Sequence, residues 1–140
     1  MKHLALAFLQ LFTLCGCTDY NHDKADTPAN KKGFARRLGQ QPAADVKGIY
    51  FYSDGMGADC CYQLRFECSQ KTHDALVHSL SLTKATEIEG HLPGRDFPWW
   101  NAKAVASLPL HWKVNAKGDY YWLLWYDSAK NEAFFLEYSV

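Results

Sequence analysis

The run Tyr120-Tyr121-Trp122-Leu123-Leu124-Trp125-Tyr126 constrains this chain more than any other stretch, because large apolar side chains occupy both parities of an extended segment. Successive side chains of a strand point to opposite faces of a sheet, so a strand apolar on both faces needs cover above and below. Left at an open edge, the same run would template aggregation. It is predicted to be a central strand with a neighbour on each side. Trp122 and Trp125 then face opposite ways, and both are expected to be structural.

The stretches around it carry simpler signals. Ile49, Phe51 and Ser53 alternate with Tyr50, Tyr52 and Asp54, and Tyr62, Leu64, Phe66 and Cys68 alternate with Cys61, Gln63, Arg65 and Glu67. Both read as strands, joined as a hairpin by the turn at 54–59. Ser69 or Thr72 can cap a helix whose apolar stripe is Leu76, Val77 and Leu80, ending near Leu82. Lys84 to Ser107, broken by Gly90, Pro93, Gly94 and Pro98, reads as a long ordered loop. Leu110, Trp112 and Val114 resume the alternation, 115–118 turns, and after Tyr126 a second turn at 127–131 places Asn131 in a left-handed position before a last strand over 133–138. The predicted fold is α+β: one antiparallel sheet of about five strands, in ββαβββ order, with one helix packed on one face. This single domain spans 46–140.

Thr18 to Asp45 has few large apolar residues and reads as a flexible tether, because such a composition buries too little apolar surface to offset its ordering entropy. Its short basic run, Lys31, Lys32, Arg36 and Arg37 around Phe34, could lie on anionic headgroups, but four charges are the minimum for such a patch, so the favoured reading is a solvated linker. With 15 basic and 15 acidic residues the chain has no net charge. Nucleic-acid partners ordinarily call for a basic excess, so none is expected.

At the N-terminus, Lys2 and His3 precede an apolar run from Leu4 to Leu14, too short for the roughly 20 residues of a membrane span and of the length of a secretory signal. The run ends in Leu14-Cys15-Gly16-Cys17, which resembles the lipobox of bacterial lipoprotein precursors. That resemblance implies a signal peptide over 1–16, lipidation of Cys17 as the first mature residue, and attachment to the lipid bilayer through it. Residues 17–45 become a lipidated tether. In that class of lipoproteins an Asp directly after the Cys goes with inner-membrane retention. Thr18 holds the place here, with Asp19 next, which favours the outer membrane facing the periplasm.

An oxidising compartment lets the remaining thiols pair. If 61–68 is one extended strand, Cys60 and Cys68 lie about 25 Å apart at roughly 3.3 Å per residue, beyond the ~7 Å ceiling for bridged Cα atoms. What remains open is a vicinal Cys60–Cys61 disulfide, an intermolecular bond, or free thiols. Cys68 shares a face with Phe66 and reads as core. Cys60, Cys61, Cys68 and His73 lack metal-site spacing, and Asp54 and Asp59 with their glycines read as a hairpin turn rather than a calcium loop. No metal or cofactor is expected.

No nucleophile–base motif, P-loop or dinucleotide fingerprint occurs, His73 and His78 project from different sides of the helix, and His111 is expected to face solvent. No catalytic residue is assigned. The loop Arg95-Asp96-Phe97-Pro98-Trp99-Trp100-Asn101 is the candidate contact: Arg95, Trp99 and Trp100 are residue types that anchor protein interfaces when displayed, and core residues when not. Three classes of function compete. The first is a protein-binding module of the cell envelope, such as an immunity protein or an accessory subunit. The second is a carbohydrate or small-ligand binder using the Trp-rich surface, and the third an unrecognised hydrolase. The first accounts best for small size, an anchor and the lack of a catalytic motif.

Overall fold

The computed structural model describes residues 23–54, 60–85 and 94–140, and within them the chain is α+β. Its elements run α1 (Pro28–Leu38), β1 (Lys47–Asp54), β2 (Cys61–Glu67), α2 (Gln70–Ser79), β3 (Thr83–Ala85), α3 (Ala102–Ala106), β4 (Leu110–Val114), β5 (Tyr120–Asp127) and β6 (Glu132–Ser139). The strands form one antiparallel sheet in the order β1-β2-β6-β5-β4-β3. β5 lies inside it, between β4 and β6, as its two apolar faces require. The described residues thus hold six strands and three helices where the sequence pattern indicated about five and one. The sixth strand, β3, is three residues paired with Trp112, His111 and Leu110, too short for an alternation to register. α3 is a single five-residue turn inside the segment read as loop.

The larger difference is α1, which stands in the segment read as a flexible tether. Thr27 caps it by accepting from the amide of Asn30 at 3.1 Å, Pro28 occupies the first turn, and Gly39 ends it in the left-handed region at φ 69°. Phe34 and Leu38, one turn apart, are buried in the main core, and Phe34 meets Phe66 edge to face at 4.9 Å. Gly33 lets the helix approach the sheet: a Cβ there would lie 2.5 Å from the Phe51 ring. Asn30, with no exposure, donates to the carbonyls of Lys24 (2.7 Å) and Ile49 (2.9 Å). Asp26 accepts from the amides of Gly48 and Ile49, capping the open edge of β1. Residues 23–45 are therefore part of the domain. Mean composition misleads here because two apolar residues on one helical face are enough to dock a short amphipathic helix whose ends are capped.

The sheet is covered on both sides. On one, α1 and α2 bury Ile49, Phe51, Leu64, Phe66, Leu124 and Phe135; on the other, the 94–109 segment lays Trp100 and Val105 over Leu123, Trp125, Phe134 and Leu136. Trp125 is 1 % exposed, whereas Trp122 is half-buried at the rim of the helical face. Ser69, one of the two cap candidates, caps α2, which ends at Ser79, a few residues before the expected Leu82. Asn131 adopts φ 55° in the turn before β6. None of the helices in the described residues is long and apolar enough to cross a membrane.

Candidate functional site

The 94–101 loop is held by hydrogen bonds that replace a missing strand. Gln63 sits on the face of β2 expected to be polar and solvated, yet it has no exposure. Its Oε1 accepts from the amide of Arg95 at 2.9 Å and its Nε2 donates to the carbonyl of Arg95 at 3.0 Å. One side chain thus satisfies both backbone groups of a loop residue, as a neighbouring strand would. Phe97 and Trp100 exchange two backbone hydrogen bonds of 2.9 Å each, Asp96 accepts from the amide of Ala102, and Asn101 caps α3 through the amide of Ala104.

This frame separates the two tryptophans. Trp100 is 2 % exposed and meets Trp125 and Phe134 edge to face at 6.2 and 5.7 Å. Its expected place at a partner contact is thereby corrected: it points into the sheet because the Phe97–Trp100 bridge turns its side chain inward. Trp99 is half-buried and stacks on Phe97 at 4.8 Å and Tyr50 at 5.5 Å. Phe97 in turn lies 5.0 Å from Tyr52. Arg95, its side chain 68 % exposed, reaches Asp54 at 3.7 Å and lies over Tyr52 at 5.5 Å. Arg95, Trp99 and the exposed Pro98 therefore belong to an aromatic shelf beside the edge strand β1. Tyr50 and Tyr52 join this shelf from the face of β1 opposite Ile49 and Phe51. Sequence alternation places them on that face, but only the loop's position shows what covers it.

A second polar cluster lies on the helical face. Glu137, 5 % exposed, accepts at Oε1 from the Tyr120 hydroxyl and from Arg37 Nη1 at 3.3 Å, while Oε2 has no partner. The Arg37 guanidinium also lies 3.9 Å over the Tyr62 ring. Burial, then the bond to Glu137, holds the Tyr120 phenol well above its ordinary range. Beside this cluster a groove of about 170 Å³ runs between α1 and the sheet, with Lys32, Arg36 and Arg37 on one wall and Ser53 and Tyr62 on the other.

All three described cysteines are free thiols, and the vicinal Cys60–Cys61 disulfide is not formed. The reason is strand geometry. Cys61 enters β2 and packs in the loop-side core, whereas Cys60 turns to the Tyr120 hydroxyl (3.7 Å) and the Ser139 hydroxyl (3.5 Å) on the other face. Burial, then the charges of Asp54 and Cys60, pushes Cys61 up to about 11, and burial raises Cys68 to about 12, so neither is a thiolate at neutral pH. Cys68 is buried in the helical-side core, as its alternation with Phe66 indicated.

His73 is buried and His78 exposed, consistent with their different sides of α2. His111, expected in solvent, is half-buried with its ring 5.4 Å from that of His73. α2 covers the position that the strand pattern alone leaves open. Among the described residues no group of three or more His, Cys, Asp and Glu side chains converges in a way that could hold a metal ion. The expected signal segment 1–16, the expected lipidation site Cys17, and the Asp59 end of the 54–59 turn lie outside the described residues. No protein-family model, curated protein or solved structure matches the chain.

Proposed function

We propose that this chain is a lipid-anchored protein of the bacterial cell envelope, attached through Cys17, whose domain binds a protein partner through the shelf made by Arg95 and Trp99 over Tyr50 and Tyr52. An immunity protein or an accessory subunit of an envelope assembly fits this description. The observation that carries the reading is the way the loop is pre-built. Gln63 pins Arg95 from beneath, and Phe97 and Tyr50 hold Trp99. A large aromatic and a guanidinium are presented with little ordering left to lose on association, and such residues dominate interface energetics. The stacking of Trp99 on Phe97 and Tyr50 lends less support to a sugar-binding surface, which needs an aromatic face open to its ligand.

The anchor and the contact are tested separately. Metabolic palmitate labelling should mark the wild-type protein and not Cys17→Ser, which should accumulate as a soluble or unprocessed chain. In envelope pull-downs read by mass spectrometry, a partner retained by wild type should be lost with Trp99→Ala and with Arg95→Ala. Each substitution should weaken capture by about 1–2 kcal/mol or more if the residue is a hot spot, Arg95→Ala at an unchanged melting temperature and Trp99→Ala with a loss of its stacking on Phe97 and Tyr50 that lowers the melting temperature without unfolding the domain. Normal capture by both stable variants would move the contact elsewhere on the domain.

A further inference from the structure

The composition of 18–45 favours a solvated linker for its basic run, but the structure sets those charges on a docked helix. α1 carries Lys31, Lys32, Arg36 and Arg37 and no acidic residue, and Phe34 and Leu38 fix it on the sheet. Arg37 turns toward the sheet, where it meets Glu137 and the Tyr62 ring. Lys31, Lys32 and Arg36 are exposed. The ion pairs among the described residues engage Arg37, Lys47, Arg65, Arg95 and Lys130, and none of these three. Lys32 and Arg36 stand one turn apart, so two like charges adjoin on the helix surface. An anion from outside the domain relieves that repulsion.

The groove of about 170 Å³ between α1 and the sheet opens beside Lys32 and Arg36. No Asp or Glu lines it, and each of its polar side chains, Lys32, Arg36, Arg37, Ser53 and Tyr62, can donate a hydrogen bond. Cationic and hydroxyl donors around one small space are the chemistry that receives a phosphate. The start of the domain names the source of that phosphate. Cys17 lies six positions before Asp23, the first described residue, a link of at most about 20–22 Å at roughly 3.3–3.6 Å per residue. The carbonyl of Lys24, next along, already accepts from Asn30 of α1. An acyl chain on Cys17 therefore holds α1 close to the bilayer.

We propose that the exposed basic face of α1 docks the domain on the anionic phospholipids of the bilayer that carries it, with one headgroup phosphate seated in the groove between Lys32, Arg36 and Tyr62. This inference rests on the lipid anchor proposed at Cys17. Basic residues held near an anionic leaflet each add to its attraction, within the Debye length. α1 and the loop that carries Arg95 and Trp99 cover opposite faces of the sheet. Docking through α1 therefore leaves the shelf directed away from the membrane, where a partner reaches it.

The whole protein, purified from membranes, is reconstituted into vesicles of phosphatidylcholine alone or mixed with phosphatidylglycerol, and lysine acetylation is read by mass spectrometry. Phosphatidylglycerol should slow modification of Lys31 and Lys32 several-fold and leave the exposed Lys103 of α3 unchanged; high salt should remove the difference. Lys32→Gln combined with Arg36→Gln should keep the melting temperature, because both side chains are exposed and outside any ion pair. The double variant should lower the ratio of docked to free domain by at least about fivefold, seen as faster acetylation of Lys31. Equal reactivity of Lys31 and Lys32 in the two kinds of vesicle overturns the proposal. So does their protection by inorganic phosphate on phosphatidylcholine vesicles, which would make the groove a site for a soluble anion. Flotation with phosphatidylcholine vesicles reads the anchor separately, and a chain that stays behind lacks it. For such a chain, salt-sensitive flotation with phosphatidylglycerol vesicles that the double variant loses still supports the groove, and no flotation with them overturns it.

Discussion

The two faces of the sheet are covered by different means. On one, two capped helices bury a continuous aliphatic and phenylalanine layer, and polar residues enter it at Asn30, His73 and Glu137. On the other, the cover is a mostly irregular segment that fills its space with tryptophan and is fastened by side-chain hydrogen bonds from Gln63, Asp96 and Asn101. A helix satisfies its own backbone and needs only a greasy stripe to dock. An irregular segment must find partners for its amides and carbonyls elsewhere. That need fastens the loop to the sheet and leaves a rim of aromatic and cationic groups at the surface, where recognition is proposed.

The comparison can be broken most severely on the helical side. A chain starting near Asp45 lacks α1 and uncovers the layer around Ile49, Phe51 and Phe66. It is expected to lose cooperative unfolding altogether, as read by thermal and urea melts. Retention of the wild-type melting temperature would mean that α1 contributes nothing to the fold. The loop side should answer next: Trp100→Ala removes a side chain packed against Trp125 and Phe134 and should cost about 3–5 kcal/mol in urea unfolding. A near-neutral result would mean that the loop lies on the sheet without stabilising it.

Gln63→Ala sharpens the contrast by removing the fastener and leaving the packing. It should cost about 1–3 kcal/mol, because the Arg95 backbone groups lose their partners, and it should raise hydrogen exchange in the loop while β5 stays protected. Uniformly faster exchange would show that the loop and sheet open together. The smallest effect is expected at the start of α2, where hydrogen bonds from Ser69 and Thr72 lower the exposed Asp45 carboxyl to about 2. Its folded value lies below the roughly 3.9 of an unfolded aspartate. Its contribution should therefore be complete above pH about 4 and fade as pH falls through about 2. Urea midpoints of wild type and Asp45→Asn should differ above that window and converge below it; a gap that persists in acid would assign the effect to geometry instead of charge.

The strands were legible because alternation with a period of two survives whatever packs on top. β1, β2, β4, β5 and β6 all carry that signal, which also requires the interior place of β5, while the Ser69 cap of α2 is legible from its residue type. α1 is hidden in the mean composition of its segment. Its signals were local: Thr27-Pro28 at the start, Gly39 at the end, and Phe34 and Leu38 one turn apart. The candidate contact was legible only in part. Arg95 and Trp99 lie at the surface and Trp100 does not, and nothing in two adjacent tryptophans says which of them turns inward.

What the sequence by itself determined is the inventory of strands and the need to bury both sides of β5, since these follow from side-chain parity within single segments. What covers each side was decided by the tertiary structure alone. The fastening of the loop by Gln63, the pairing of His73 with His111, the joining of Arg37 to Glu137 and the separation of Cys60 from Cys61 all depend on residues distant in the chain or on the faces the sheet gives them. No periodicity within one segment records those contacts, because their geometry exists only once the elements have packed.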